Sequence, residues 1–185
     1  RRIGPGTADF RTQPAMSAAQ CADALLAGRE AVERAVATGT QLLIGGEMGI
    51  GNTTSATAIL SALLGIAPAI LAGPGTGLTV EGVARKVEVI EAALWQHREV
   101  VEKPVAVLAA LGGFEICALT GLYIAAAQHK IPSLVDGFIA NAAAVAALRI
   151  RPDLLPWLFF AHASAEPGQQ AVTDALGVEP ILNLR

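Results

Sequence analysis

Charge is scarce in this 185-residue chain: Asp, Glu, Lys and Arg together make up 16%, and 13 basic side chains stand against 16 acidic ones. A net charge of -3 with Lys and Arg spread thinly offers no patch that could neutralise a run of phosphates, which argues against a nucleic-acid interface. Aromatic residues are only 4%, too few for a Tyr- and Trp-rich recognition surface. The two cysteines, Cys21 and Cys117, lie far apart without Cys-x-x-Cys or Cys/His spacing, so they read as buried thiols of a reducing, cytoplasmic compartment. His97, His129 and His162 are equally scattered, and no metal site or cofactor is expected.

Other absences narrow the chemistry. The best candidate for a membrane span, residues 53–73, is uncharged but carries Thr53, Thr54, Ser55, Thr57 and Ser61 and is broken by Gly65 and Pro68. A membrane span needs about 20 predominantly apolar residues, so this stretch reads as a buried helix followed by a loop. No Gly-x-Ser-x-Gly elbow supplies a hydrolase nucleophile. Asp9, Asp23, Asp136, Asp153 and Asp174 never adjoin another acid, so no site for a magnesium-bound pyrophosphate is evident. No signal peptide is expected, and because the sequence does not begin with Met it is expected to be part of a longer protein.

What is abundant is aliphatic: hydrophobic residues reach 53%, dominated by Ala, Val, Ile and Leu. The length fits one α/β domain over residues 1–185. Ser17 with Gln20 makes a capping box before an alanine-rich helix that Gly39 should end. From there a unit recurs: an aliphatic run, a small-residue loop holding a carboxylate, then an alanine-rich helix. The runs are 41–44, 104–108, 132–135 and 155–161, and the loops that follow carry Glu47, Glu115, Asp136 and Glu166. A further helix is expected over 80–103. Continuous apolar strands alternating with helices predict an open, mostly parallel sheet with helices on both faces, the Rossmann-like three-layer arrangement. Loops at the carboxyl ends of such strands form the ligand-binding edge. Each acid alone could equally cap its helix.

Residues 46–53 have the spacing Gly-x-x-x-x-Gly-x-Thr of a phosphate-binding loop, with Asn52 where lysine would stand. Without that ammonium a nucleoside triphosphate fits poorly, which argues against an NTP-using kinase. Amides at a helix N-terminus can still hold one phosphomonoester. A second glycine loop, Gly73-Pro74-Gly75-Thr76-Gly77, precedes a helix whose apolar stripe is Val83, Val87, Ile90 and Leu94. Lys86 lies about 60° to one side of that stripe and can aim its ammonium over the glycine loop. On spacing alone, a lysine snorkelling at the surface is the favoured reading.

The segment Gly45-Gly46-Glu47-Met48-Gly49-Ile50-Gly51-Asn52-Thr53-Thr54 resembles the most distinctive stretch of the nicotinate-nucleotide:dimethylbenzimidazole phosphoribosyltransferases of cobalamin assembly. The match continues through Gly75-Thr76-Gly77-Leu78, Ala84-Arg85-Lys86, Gly112-Gly113-Phe114-Glu115-Ile116, Val135-Asp136-Gly137-Phe138 and Ser164-Ala165-Glu166-Pro167-Gly168. The resemblance implies transfer of the 5-phosphoribosyl group of nicotinate mononucleotide to 5,6-dimethylbenzimidazole, giving α-ribazole 5'-phosphate and nicotinate. It implies Glu47 as the active-site acid, with Met48 lining the base pocket beside Gly49. It also implies Gly75, Thr76, Lys86, Ser164 and Ala165 around the phosphate, and Asp136 and Gly137 near the ribose. Glu166 stands beside them or caps its helix. A homodimer is implied as well. In the family the general base is a glutamate in a Gly-Glu-Gly segment, which would fall after Arg185, and the N-terminal base-pocket region would precede Arg1. The chain is thus read as the central and C-terminal fold of a longer enzyme, with a non-catalytic nucleotide- or azole-binding relative as the alternative.

Overall fold

Local sequence signals set the helix ends in this computed structural model, which describes residues 1–163 and 166–183. Helix α1 (Ala18–Ala37) begins at a complete capping box between Ser17 and Gln20. Its end falls at Thr38, and Gly39 turns the chain with φ +75°. Strand β1 (Leu43–Gly46) runs through the glycine loop into α2 (Thr53–Leu64), which stops at left-handed Gly65. A single turn, α3 (Pro68–Leu71), leads to α4 (Val80–Gln96), where the Thr79 hydroxyl accepts from the Gly82 amide. Then follow α5 (Pro104–Leu111), α6 (Phe114–Gln128), β2 (Ser133–Asp136) and α7 (Gly137–Ile150). A 3-10 turn, Pro152–Trp157, precedes β3 (Leu158–Phe160), β4 (His162–Ala163), α8 (Pro167–Leu176) and β5 (Leu182–Asn183).

Three expected secondary-structure assignments need correction. Residues 104–108 form a helix rather than a strand. An aliphatic run of that length has no decisive period, and Pro104 in the first turn starts a helix that packs among α1, α2 and α7. Glu115 therefore enters from a helix–helix junction. Residues 155–157 belong to the 3-10 turn, with Pro156 inside it, so the strand begins only at Leu158. The helix expected over 80–103 ends at Gln96, beyond which the His97 ring meets the Phe10 carbonyl oxygen at 2.8 Å.

The sheet is parallel, in the order β1-β2-β3, with Ile44 opposite Leu134 opposite Phe159 and Gly46 opposite Asp136. β4 continues past β3 and pairs in parallel with β5. The α/β class thus stands. Helices α6 and α7 pack on β1 and β2. The row Ile44, Leu134 and Phe159 lies on the other face, where Ile44 is 65% and Phe159 44% exposed. The layer expected there is not supplied by the described residues.

On the covered side, α1 and α6 approach backbone to backbone. A side chain at Gly28 would overlap the Ala118 carbonyl, and one at Gly121 would overlap the Leu25 carbonyl. Cys21 and Cys117, distant in sequence, meet in this interface as buried free thiols with their sulfurs 3.9 Å apart. Among the described residues no helix is long and apolar enough to cross a membrane.

Candidate active site

The parallel register sets Gly46 beside Asp136 at the carboxyl edge of the sheet, so the loop carrying Glu47 starts next to the Asp136 carboxylate. A Cβ at Gly46 would come 3.4 Å from Asp136 Oδ2. One strand further, His162 Nδ1 lies 3.4 Å from Asp136 Oδ1. Gly137 turns the chain into α7 with φ +87°, a conformation that by itself calls for glycine. The strand entering the loop is pinned from below. The buried Tyr123 hydroxyl donates to the Gly45 carbonyl at 2.9 Å. Burial pushes that hydroxyl's pKa well up, and the Asp136 charge adds to the effect.

Within the glycine loop the protein supplies its own anion. The Glu47 carboxylate accepts from the Gly49 amide and from Asn52 Nδ2, both at 2.6 Å. Gly49 thus serves Glu47 rather than leaving its amide open to a ligand. Asn52, at the position where a phosphate loop has lysine, turns toward acids. Its Nδ2 also reaches Glu115 Oε1 at 3.2 Å. Met48 stands in the loop 96% exposed, and Ile50 is also bare.

The positive charge enters from α4. Lys86 is buried, 6% exposed, and its Nζ donates to Thr53 Oγ1 at 2.8 Å and to the Gly73 carbonyl at 3.2 Å. The snorkelling reading is therefore excluded. An ammonium has three N–H donors, and the described residues engage two of them. Burial pulls the Lys86 pKa below its ordinary value, while the Glu166 carboxylate works against that shift. Glu166 stands at the N-cap position of α8 with no side-chain cap hydrogen bond, and its carboxylate lies against Gly73, where any added Cβ would overlap it. Gly75, with φ +55°, brings its backbone over Thr53, so that a Cβ there would sit 3.2 Å from the Thr53 hydroxyl. Lys86, Gly73, Gly75, Glu166 and the start of α2 form one cluster, and Thr76 adjoins it in sequence. Ser164 and Ala165 lie outside the described residues.

A family model described as phosphoribosyltransferase matches residues 1–185. The chain belongs to that family. Among its phosphoribosyltransferase relatives is the nicotinate-nucleotide--dimethylbenzimidazole phosphoribosyltransferase of Azotobacter vinelandii, 55% identical over all of this chain and 52% of that protein. The protein of the same name from Pseudomonas putida W619 is 54% identical over 99% of this chain and 52% of its own length. The crystal structure of CobT from Thermus thermophilus superposes with a TM-score of 0.94 at 43% identity, covering the whole chain and 55% of that structure. The chain thus spans about half the length of the curated phosphoribosyltransferases it matches.

Sequence reasoning does not foresee the contacts of three residues. Thr53 closes the phosphate-loop spacing, but that spacing gives no sign that its hydroxyl accepts from the Lys86 ammonium. Tyr123 lies in a segment that reads only as helix, and Asn52 reads only as a missing lysine. The spacing of Asn52 from Glu47 was visible, but its pairing with Glu115 needs the fold of α6 against the loop.

Proposed function

We propose that the protein moves a 5-phosphoribosyl group from nicotinate mononucleotide to 5,6-dimethylbenzimidazole, yielding α-ribazole 5'-phosphate and nicotinate. The observation that carries this is the buried Lys86 ammonium set beside the second glycine loop and the N-terminus of α2, on the edge that also carries Glu47 and Asp136. An ammonium with a donor left over by the described residues, next to helix-terminal amides, suits one phosphomonoester. The Lys86, Thr53 and Gly75 cluster would hold it, with Thr76 alongside. Asp136 and Gly137, one strand over, fall where the ribose would extend. Met48 and Ile50 supply apolar surface for the azole or the departing pyridine.

In this reaction the C1–N bond to nicotinate breaks as the azole nitrogen attacks C1 from the opposite side. The bonding pair returns to the pyridinium nitrogen, so nicotinate leaves without being protonated. The positive charge developing at C1 favours a nearby carboxylate, and Glu47, whose carboxylate is held by two N–H donors, is suited to that work. The azole N–H must lose its proton to a base, which the family resemblance locates beyond Arg185. We further propose that the enzyme acts as a cytoplasmic homodimer. Supporting this are two buried free thiols that suit a reducing compartment, and bare apolar side chains such as Ile44, Val80 and Trp95 that suit association.

Incubating the full-length protein with nicotinate mononucleotide and 5,6-dimethylbenzimidazole should release nicotinate and form an α-configured nucleotide. Binding of both compounds with no release would refute the catalytic proposal and favour a carrier.

A further inference from the structure

We propose, building on the assignment of Glu47 as the acid of the phosphoribosyl site, that Asn52 and Glu115 are positioning residues that hold the Glu47 carboxylate in its working orientation. Asn52 occupies the N-cap position of α2, yet its backbone is helical (φ -85°, ψ -3°) and its side chain caps nothing. The role asparagine ordinarily plays at a helix start is therefore not its role here. Its amide instead joins two carboxylates, donating to Glu47 Oε2 at 2.6 Å and to Glu115 Oε1 at 3.2 Å. Chemistry fixes this orientation, since the flipped amide would press an oxygen against two acids. The arrangement is retained at a cost: Asn52 Oδ1 is buried with no hydrogen-bond partner among the described residues.

The glycines of both loops make room for this group. A Cβ at Gly49 would crowd both Glu47 oxygens and Asn52 Nδ2, and a Cβ at Gly113 would overlap the Glu115 carboxylate. Neither glycine has a positive φ, so clearance for the carboxylates, and not backbone conformation, is what a side chain there would violate. Glu115 sits in the first turn of α6, where a negative charge is favoured by the helix dipole. The same helix carries Tyr123, whose hydroxyl holds Gly45. One helix thus grips the loop where it leaves the strand and where it enters α2, with Glu47 between the two grips. Asn52 is a neutral donor, so it orients Glu47 without neutralising it.

The test uses the full-length protein, with steady-state rates of nicotinate release. Asn52→Ala and Glu115→Ala should each lower kcat about 10–100-fold while KM for the nucleotide stays within about threefold. Glu115→Gln keeps an acceptor oxygen for Asn52 and should stay within about threefold of the parent. The double variant Asn52→Ala/Glu115→Ala should be no worse than Asn52→Ala alone, because both act through one contact. A raised KM with unchanged kcat in Asn52→Ala, or full activity in Glu115→Ala, would overturn the positioning role. Failure of the functional assignment looks different: the parent releases no nicotinate, or Glu47→Gln turns over normally. In that event amide exchange at Gly49 still decides the positioning claim. Asn52→Ala should speed exchange of the Gly49 N–H, which donates to Glu47, by about tenfold. Unchanged exchange would overturn it.

Discussion

Replacing Lys86 by alanine separates the phosphate from the azole. The ammonium lies buried between Thr53 Oγ1 and the Gly73 carbonyl, and one of its donors is not engaged by the described residues. A hydrogen bond to a charged group contributes about 1.5–3 kcal/mol, which at 1.4 kcal/mol per decade corresponds to roughly 10–150-fold in Kd. Nicotinate mononucleotide should therefore bind the variant about one to two orders of magnitude more weakly, with 5,6-dimethylbenzimidazole affinity changed by less than about threefold. The stability effect is smaller because two terms oppose. Truncation leaves the Gly73 carbonyl without this donor, costing about 1–3 kcal/mol, but it also removes a desolvated charge that the fold holds against its preference. A net loss of about 1 kcal/mol would lower Tm by about 2–4 °C for a domain of this size, so titration calorimetry near 25 °C samples folded protein in both cases. Equal losses for both compounds, or unchanged nucleotide affinity, would refute the phosphate role.

Because burial depresses the Lys86 pKa, nucleotide affinity should begin to fall on the alkaline side before the ordinary lysine range is reached, and Lys86→Met should abolish that limb. Stability should respond to the same group with the opposite sign: between the depressed folded pKa and the unfolded one the unfolded chain binds more protons, so stability rises with pH there, and urea titrations of parent and Lys86→Met should diverge. Tyr123 behaves in reverse, since its raised pKa keeps it protonated in the folded state while the unfolded phenol ionises near its usual value of about 10; stability should fall above that pH, and Tyr123→Phe should flatten the dependence while losing about 1 kcal/mol at neutral pH. Gly28→Ala gains about 1 kcal/mol of helix propensity but forces α1 off the Ala118 carbonyl, and overpacking of about 1–3 kcal/mol or more should win. A raised Tm for that variant would contradict the close packing of α1 on α6.

Much of the local structure was written in the sequence. The capping box at Ser17 and Gln20 started α1, Gly65 and Gly177 ended α2 and α8, and the glycine loop led from β1 into α2 as its spacing required. These signals are local, each depending on φ preference or on a side chain within a turn of its target. The family was equally legible, because its segments recur in order along the whole chain. Residues 104–108 were misread because an aliphatic run has no period until its neighbours choose its partner, and helices on several sides claimed it.

Tertiary structure alone decided what the candidate site residues touch. Nothing in the spacing of Lys86 distinguishes an ammonium in water from one buried against Thr53 and Gly73, residues that lie 33 and 13 positions away. Nor does it show that Asn52 joins Glu47 to an acid 63 positions on. Backbone preferences act over a few residues, whereas charges and hydrogen-bond donors find partners only after the chain has folded the distant segments to one edge of the sheet.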